Sequence, residues 1–239
     1  MKLFKNKHRK TKFNNEGISN ADKLNAILSK VNILANSNNC DDWKVIFLII
    51  KIMTDKINSE KSIDILGGEL RRFCFHPTNQ DSYITSIKDK VIYTDKFSIN
   101  LGKDPIISSH WSSERLIDCL KTIGSKEKSW KYQADNHRYT LYLPMGITVT
   151  NGGNHSIYSG VAMGIGKLDF IPERDSVFDV SHYYQKVYFD GEHYRNKINK
   201  SIIEKANFEC GCIFEIGRIL HSKNISFLEL KKSGLFEFF

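Results

Sequence analysis

Hydrophobic residues recur at helical spacing early in the chain and at strand spacing in its middle. Leu24, Ile27, Leu28, Val31 and Leu34 share one face of a helix that Asn20 can cap, and the polar run 36–39 breaks it. A second helix is predicted from Asp41 or Asp42 through Trp43, Val45, Ile46, Phe47, Ile49, Ile50 and Met53. Its apolar residues lie on most sides, which predicts burial rather than a surface position. A short third helix is predicted over 63–75, ending before Pro77. From Tyr83 the texture changes to strands. Residues 91–93, 97–99, 139–143, 168–171 and 187–189 are extended candidates, and Leu116, Ile117, Leu120 and Ile123 mark a helix closed by Gly124. Residues 199–206 read as helical, and 212–221 as helix or strand. The aromatic end, 235–239, is apolar enough to require packing. The class is α+β: a basic tail over 1–19, a helical subdomain over 20–80, and an α+β domain with a C-terminal extension over 81–239.

The most informative stretch is 146–166, GITVTNGGNHSIYSGVAMGIG. Ile147, Thr148, Val149 and Thr150 suit a strand. Gly152 and Gly153 permit backbone angles that a β-carbon forbids. Asn154 can cap a helix with Ile157, Val161 and Ile165 on one side and Gly160, Ala162 and Gly164 for close approach. A strand, a glycine turn and a helix amino end place unpaired N–H groups and a positive dipole end at one point, which is a physical recipe for holding phosphate or another anion.

Composition narrows the classes. An apolar fraction of 41% and an aromatic fraction of 12% exclude wholesale disorder. The formal net charge is +8. Part of it lies in Lys2, Lys5, Lys7, Arg9, Lys10 and Lys12, which read either as a solvated tail or as an arm touching nucleic acid, with Lys5, Lys7, Arg9, Lys10 and Lys12 as its contacts. Five irregularly spaced cysteines and no signal-peptide pattern predict a reducing cytoplasm, and Cys210-Gly-Cys212 is a poor metal knuckle, so no metal site is predicted. The longest apolar run, 45–50, is too short to span a membrane. Abundant Asn, Lys and Ile point to an AT-rich bacterial or mobile-element gene.

Over residues 97–171 the element order resembles the ParB/sulfiredoxin-like superfamily. The residues that carry the resemblance are Asn151-Gly152-Gly153-Asn154-His155-Ser156, the small-residue helix after them, and Leu168-Asp169-Phe170-Ile171. Phe97-Ser98-Ile99-Asn100-Leu101 and the helix over 114–123 resemble the opening strand and first helix. The resemblance implies a mixed sheet with helices and a nucleotide or phosphate at the turn, held by Gly152, Gly153, Asn154, His155 and Ser156. Sulfiredoxins place a catalytic Cys where Asn154 stands, so sulfinate reduction is set aside. The phosphate-binding Arg is replaced by Ser156, which lacks a charged fork. Arg115, Arg138 and Lys167 are the cations that the order brings nearest. His155 is a candidate proton carrier, and Glu114 can assist a nucleophile or hold a divalent ion. A nucleoside triphosphate with magnesium is the implied cofactor, serving a switch or a phosphoryl-transfer or hydrolytic enzyme.

Competing readings are a non-catalytic nucleic-acid-binding module and a partner-binding protein with an architectural turn. Ser181-His182-Tyr183-Tyr184 and Gly191-Glu192-His193-Tyr194-Arg195 can stack on bases or simply pack on the domain edge. His110-Trp111 can line a pocket or staple the following helix.

Overall fold

The computed structural model describes residues 17–69, 90–123 and 129–234. The basic arm, Gly124 and the aromatic end lie outside those residues.

Helix α1 (Asn20–Ala35) opens one residue earlier than expected, because the Ser19 hydroxyl accepts the Asp22 N–H at 3.1 Å. Helix α2 (Cys40–Leu66) is capped by Asn39, whose Oδ1 accepts the Asp41 N–H at 2.9 Å. No Gly or Pro interrupts it before Gly67, so it absorbs the start of the predicted third helix. That prediction fails over 67–69, where Gly67 caps the helix and Gly68 turns with φ 85°, and its remainder, from residue 70, lies outside the described residues. Burial on most sides of α2 is also corrected. Ile46, Phe47, Ile50, Met53 and Ile57 are buried, whereas Ile52 and Ile63 face outward.

The middle of the chain runs β1 (Lys90–Val91), β2 (Ser98–Asn100), β3 (Ile106–Ile107), α3 (Ser113–Thr122), β4 (Arg138–Leu143), β5 (Ile147–Gly152), α4 (Asn154–Met163), β6 (Lys167–Asp169) and β7 (Ser176–Asp179). After a 3-10 turn at Ser181–Gln185 come β8 (Val187–Phe189), β9 (His193–Asn196), β10 (Ile202–Lys205), α5 (Phe208–Ser222) and α6 (Phe227–Lys232). The class is α+β. The main sheet has the order β1-β7-β4-β5-β3 and is mixed: β4 and β5 form an antiparallel pair, while β3 joins β5 and β7 joins β4 in parallel. β2 pairs with β6, and β8, β9 and β10 form a separate antiparallel meander.

Strand β10 replaces the helix expected over 199–206. The Asn196 Oδ1 accepts the Ile198 N–H at 2.9 Å, and Lys200 takes a positive φ of 63°, so the chain reverses there. Ile202 and Ile203 then suit the antiparallel ladder with β9.

Helix α5 lies at the centre, with Cys212, Ile213, Phe214, Ile216 and Leu220 buried. The missing β-carbon at Gly211 admits the Phe189 ring, and that at Gly217 admits Met145 and Tyr184. Helices α1 and α2 pack on α5, and one cluster of buried side chains runs from Leu24 to Leu230. Asn58 ties α2 to the sheet edge, its amide donating to the Ile106 carbonyl at 2.7 Å and accepting the Ser108 N–H at 2.9 Å. That buried amide fixes the start of the loop 108–112, which reaches the glycine turn.

Candidate functional site

Strand β5 ends in the predicted glycine turn. Gly153 has φ 65°, and a β-carbon there would lie 2.2 Å from His137 Cδ2. At Gly152 a β-carbon would lie 2.5 Å from the Asn136 carbonyl oxygen. Only glycine fits at either position.

Gly153, not Asn154, occupies the cap position of α4, and no side chain caps that end. Asn154 is the first helical residue; its amide donates to the Ser109 carbonyl at 3.2 Å, while the Ser108 hydroxyl donates to the Asn154 carbonyl at 2.8 Å. His155 is buried, and its Nε2 accepts the N–H groups of Trp111 and Ser112 at 3.3 and 3.0 Å. It therefore serves the amino end of α3, and the remaining proton of the neutral ring sits on Nδ1. Burial, then the positive charges of Arg115 and Lys61, hold its pKa below the ordinary value. Ser156 is engaged as well. Its hydroxyl donates to the Gly153 carbonyl at 2.9 Å and accepts from His137 Nε2 at 2.9 Å, while His137 Nδ1 accepts the Gln133 N–H at 3.1 Å. Burial pushes His137 down to about 4, so the ring stays neutral. A cavity of about 440 Å³ opens beside Ser156 and His137, with Trp130 in its wall.

The small residues of this stretch have a packing cause. A β-carbon at Gly160 would meet the Leu101 side chain at 2.4 Å, and one at Gly166 would meet the Trp130 ring at 2.5 Å. Trp130 also donates from its indole N–H to the Ser156 carbonyl at 3.0 Å and stacks on His137.

The expected cations divide. The Arg115 guanidinium lies 5.0 Å from the centre of the Trp111 ring, near His155. Arg138 is exposed and stands opposite Gly152 in the β4–β5 register. Glu114 is fully exposed at the first turn of α3 and accepts from the Ser112 hydroxyl at 2.9 Å. Lys61, on the helix that showed no chemistry in the sequence, joins this neighbourhood. Its ammonium donates to the Ser108 carbonyl at 3.3 Å, and burial lowers its pKa. His110 is fully buried, stacks on Tyr158 and pairs with Ser62; burial and the charge of Lys61 push it down to about 3.

Lys167 is placed elsewhere. It opens β6, beyond the carboxyl end of α4, and lines a groove of about 550 Å³ with Lys96, Lys103, Lys231 and Lys232. No carboxylate lines this groove among the described residues. Lys231 pairs with the buried Asp104, and Lys232 pairs with Asp95 and lies over the Tyr93 ring. Lys96, Lys103 and Lys167 have no ion-pair partner among the described residues. Lys96 and Lys167 are exposed and Lys103 is half-buried. Three separate segments and α6 thus supply the charge, and that convergence has no signature in the linear sequence.

The His/Tyr stretch is largely structural. Tyr184 and Tyr194 are core residues packed on Phe214, and Arg195 pairs with Asp190. Among the described residues no three His, Cys, Asp or Glu side chains gather as metal ligands, and no helix is long and apolar enough to cross a membrane.

Residues 6–227 match the profile of a family of unknown function, DUF6710. The chain belongs to that family. No curated protein matches it, and no solved structure does.

Proposed function

We propose that this protein binds a phosphate-bearing anion, and that the lysine groove is where it binds. The supporting observation is the convergence of Lys96, Lys103, Lys167, Lys231 and Lys232 on one cavity that no carboxylate lines among the described residues. Ammonium groups brought together repel one another, and an anion between them removes that cost. A nucleotide has the charge for the site. The proposal is one of binding, and no proton-transfer step is assigned to His155 or Glu114. The order of elements from β2 to β6 supports the ParB/sulfiredoxin-like reading of the scaffold, with β3 added in the expected loop. The binding proposal stands without it.

Thermal unfolding with millimolar inorganic tripolyphosphate or ATP tests the reading. Wild type is expected to gain several degrees in Tm. The variant Lys96→Gln/Lys103→Gln/Lys167→Gln is expected to lose the gain, and His155→Ala to keep it. Absence of any gain in wild type, or an equal gain in the triple variant, overturns the proposal.

A second reading keeps the anion at the uncapped amino end of α4. Lys61 favours it, being a partly buried cation near His155 with no carboxylate paired to it among the described residues. In that case Lys61→Gln abolishes the gain and the triple lysine variant retains it.

A further inference from the structure

The groove offers charge and little else, and that restricts what it can recognise. Phe97, the aromatic residue in its wall, is stacked on Phe170 with centroids 4.6 Å apart and planes 18° apart. Tyr93 beside it carries the Lys232 ammonium 5.4 Å from its ring centre. Phe170 covers one face of Phe97 and an ammonium sits over Tyr93, so neither ring offers a nucleobase both of its faces. A carboxylate that could accept ribose hydroxyls or hold magnesium is missing from the lining among the described residues. The polar groups are Ser98 and Asn100, and Asn100 uses its Oδ1 on the Gly102 N–H at 3.0 Å, which leaves its amide N–H groups for an acceptor. The lining is therefore dominated by donors and cations, with the Ser98 hydroxyl able to accept as well as donate.

The cations are all lysines. An ammonium is a compact charge with rotatable donors and no fixed fork, so it follows a row of phosphates without demanding one geometry. Lys96 and Lys103 flank β2, Lys167 opens β6, the two strands pair antiparallel with Asn100 opposite Lys167, and Lys231 and Lys232 come from the end of α6. A mononucleotide, whose base and sugar go unread here, gains from one cluster of phosphates only. A polymer of phosphates gains at every lysine.

Resting on the anion reading of this same groove, we propose that its ligand is the sugar–phosphate backbone of a nucleic acid, held without base recognition. The chain's net charge of +8 and the basic residues of its first segment act in the same direction.

The experiment is fluorescence anisotropy of a short labelled DNA duplex with the full chain, across a salt series from roughly 50 to 200 mM. Wild type is expected to bind with log Kd rising linearly in log salt. In Lys96→Gln/Lys103→Gln/Lys167→Gln the slope is expected to shrink by about 2 to 3, at roughly 0.9 per lost phosphate contact. Changing the duplex sequence is expected to leave Kd within about threefold, as backbone-only contacts require. The pair Lys96→Gln/Lys167→Gln, both at exposed positions, serves if the triple variant fails to fold. An unchanged slope in the groove variant, with loss of binding when Lys5, Lys7, Arg9, Lys10 and Lys12 are replaced by Gln in the full chain, overturns the inference and assigns the DNA to the arm. Equal affinity for polyglutamate overturns it in favour of an acidic protein. Tripolyphosphate or ATP stabilisation without DNA binding overturns it and leaves the proposed function standing, whereas loss of both removes the two together.

Discussion

At the glycine turn most polar side-chain groups have found partners inside the chain, the buried Oδ1 of Asn154 being an exception among the described residues. His155 serves the amino end of α3, Ser156 links His137 to the Gly153 carbonyl, and Asn154 ties the turn to Ser109. At the lysine groove, about 15 Å away along the ten residues of α4, three ammonium groups have no ionic partner among the described residues. The turn carries the motif and the groove carries the unsatisfied charge. A motif names a backbone geometry that can bind, but the side chains brought to it by the fold decide whether binding capacity is left over.

The comparison predicts that substitutions at the turn change stability and those in the groove change binding. The largest effect is expected for Gly153→Ala. It forces a β-carbon into the left-handed region and against the His137 ring, at a cost of about 3 kcal/mol in denaturant unfolding. A loss below about 1 kcal/mol would mean the turn is loosely packed and open to a ligand after all.

Acid tests the same packing. His137 and His110 are pushed to about 4 and about 3 from the ordinary 6.5, so below about pH 6.5 the unfolded chain takes protons that the folded chain refuses. Their stabilising effect is complete above about pH 6.5 and is lost as pH falls through the folded values, at up to about 1.4 kcal/mol per pH unit for each ring. NMR titration of the two imidazoles checks this directly, and a ring that protonates near its ordinary pKa contradicts it. Burial raises the pKa of Asp104, which opposes part of that loss at the acid end.

His155→Ala is expected to cost about 2 kcal/mol, because the Trp111 and Ser112 N–H groups lose their acceptor. If it instead abolishes anion-induced stabilisation while unfolding normally, the turn and not the groove is the binding site. The smallest change in stability, within about 0.5 kcal/mol, is expected for Lys96→Gln/Lys103→Gln/Lys167→Gln without ligand. A large loss there would make the groove lysines structural and erase the contrast.

Periodicity found the elements that carry strong local signals. Helix α1 and the strands β4, β5 and β8 are where their apolar patterns put them, and the glycine turn joins β5 to α4 as read. Strands β3 and β7 were not legible, because two and four residues without alternation become strands only when β5 and β4 offer them a ladder. Lys167 was found, but with the wrong companions. Lys61 and Asn58 gave no signal at all, since each acts by reaching a loop nearly fifty residues away along the chain.

By itself the sequence determined the α+β class and the strand–glycine–helix junction, because hydrophobic period and glycine's freedom of φ are local properties. The tertiary structure alone decided which groups remain available. It placed Trp111 and Ser112 on His155 and His137 on Ser156, and it gathered five lysines from distant segments into one groove. Hydrogen-bond satisfaction and electrostatic convergence depend on distances between residues far apart in the chain, and no local pattern encodes those distances.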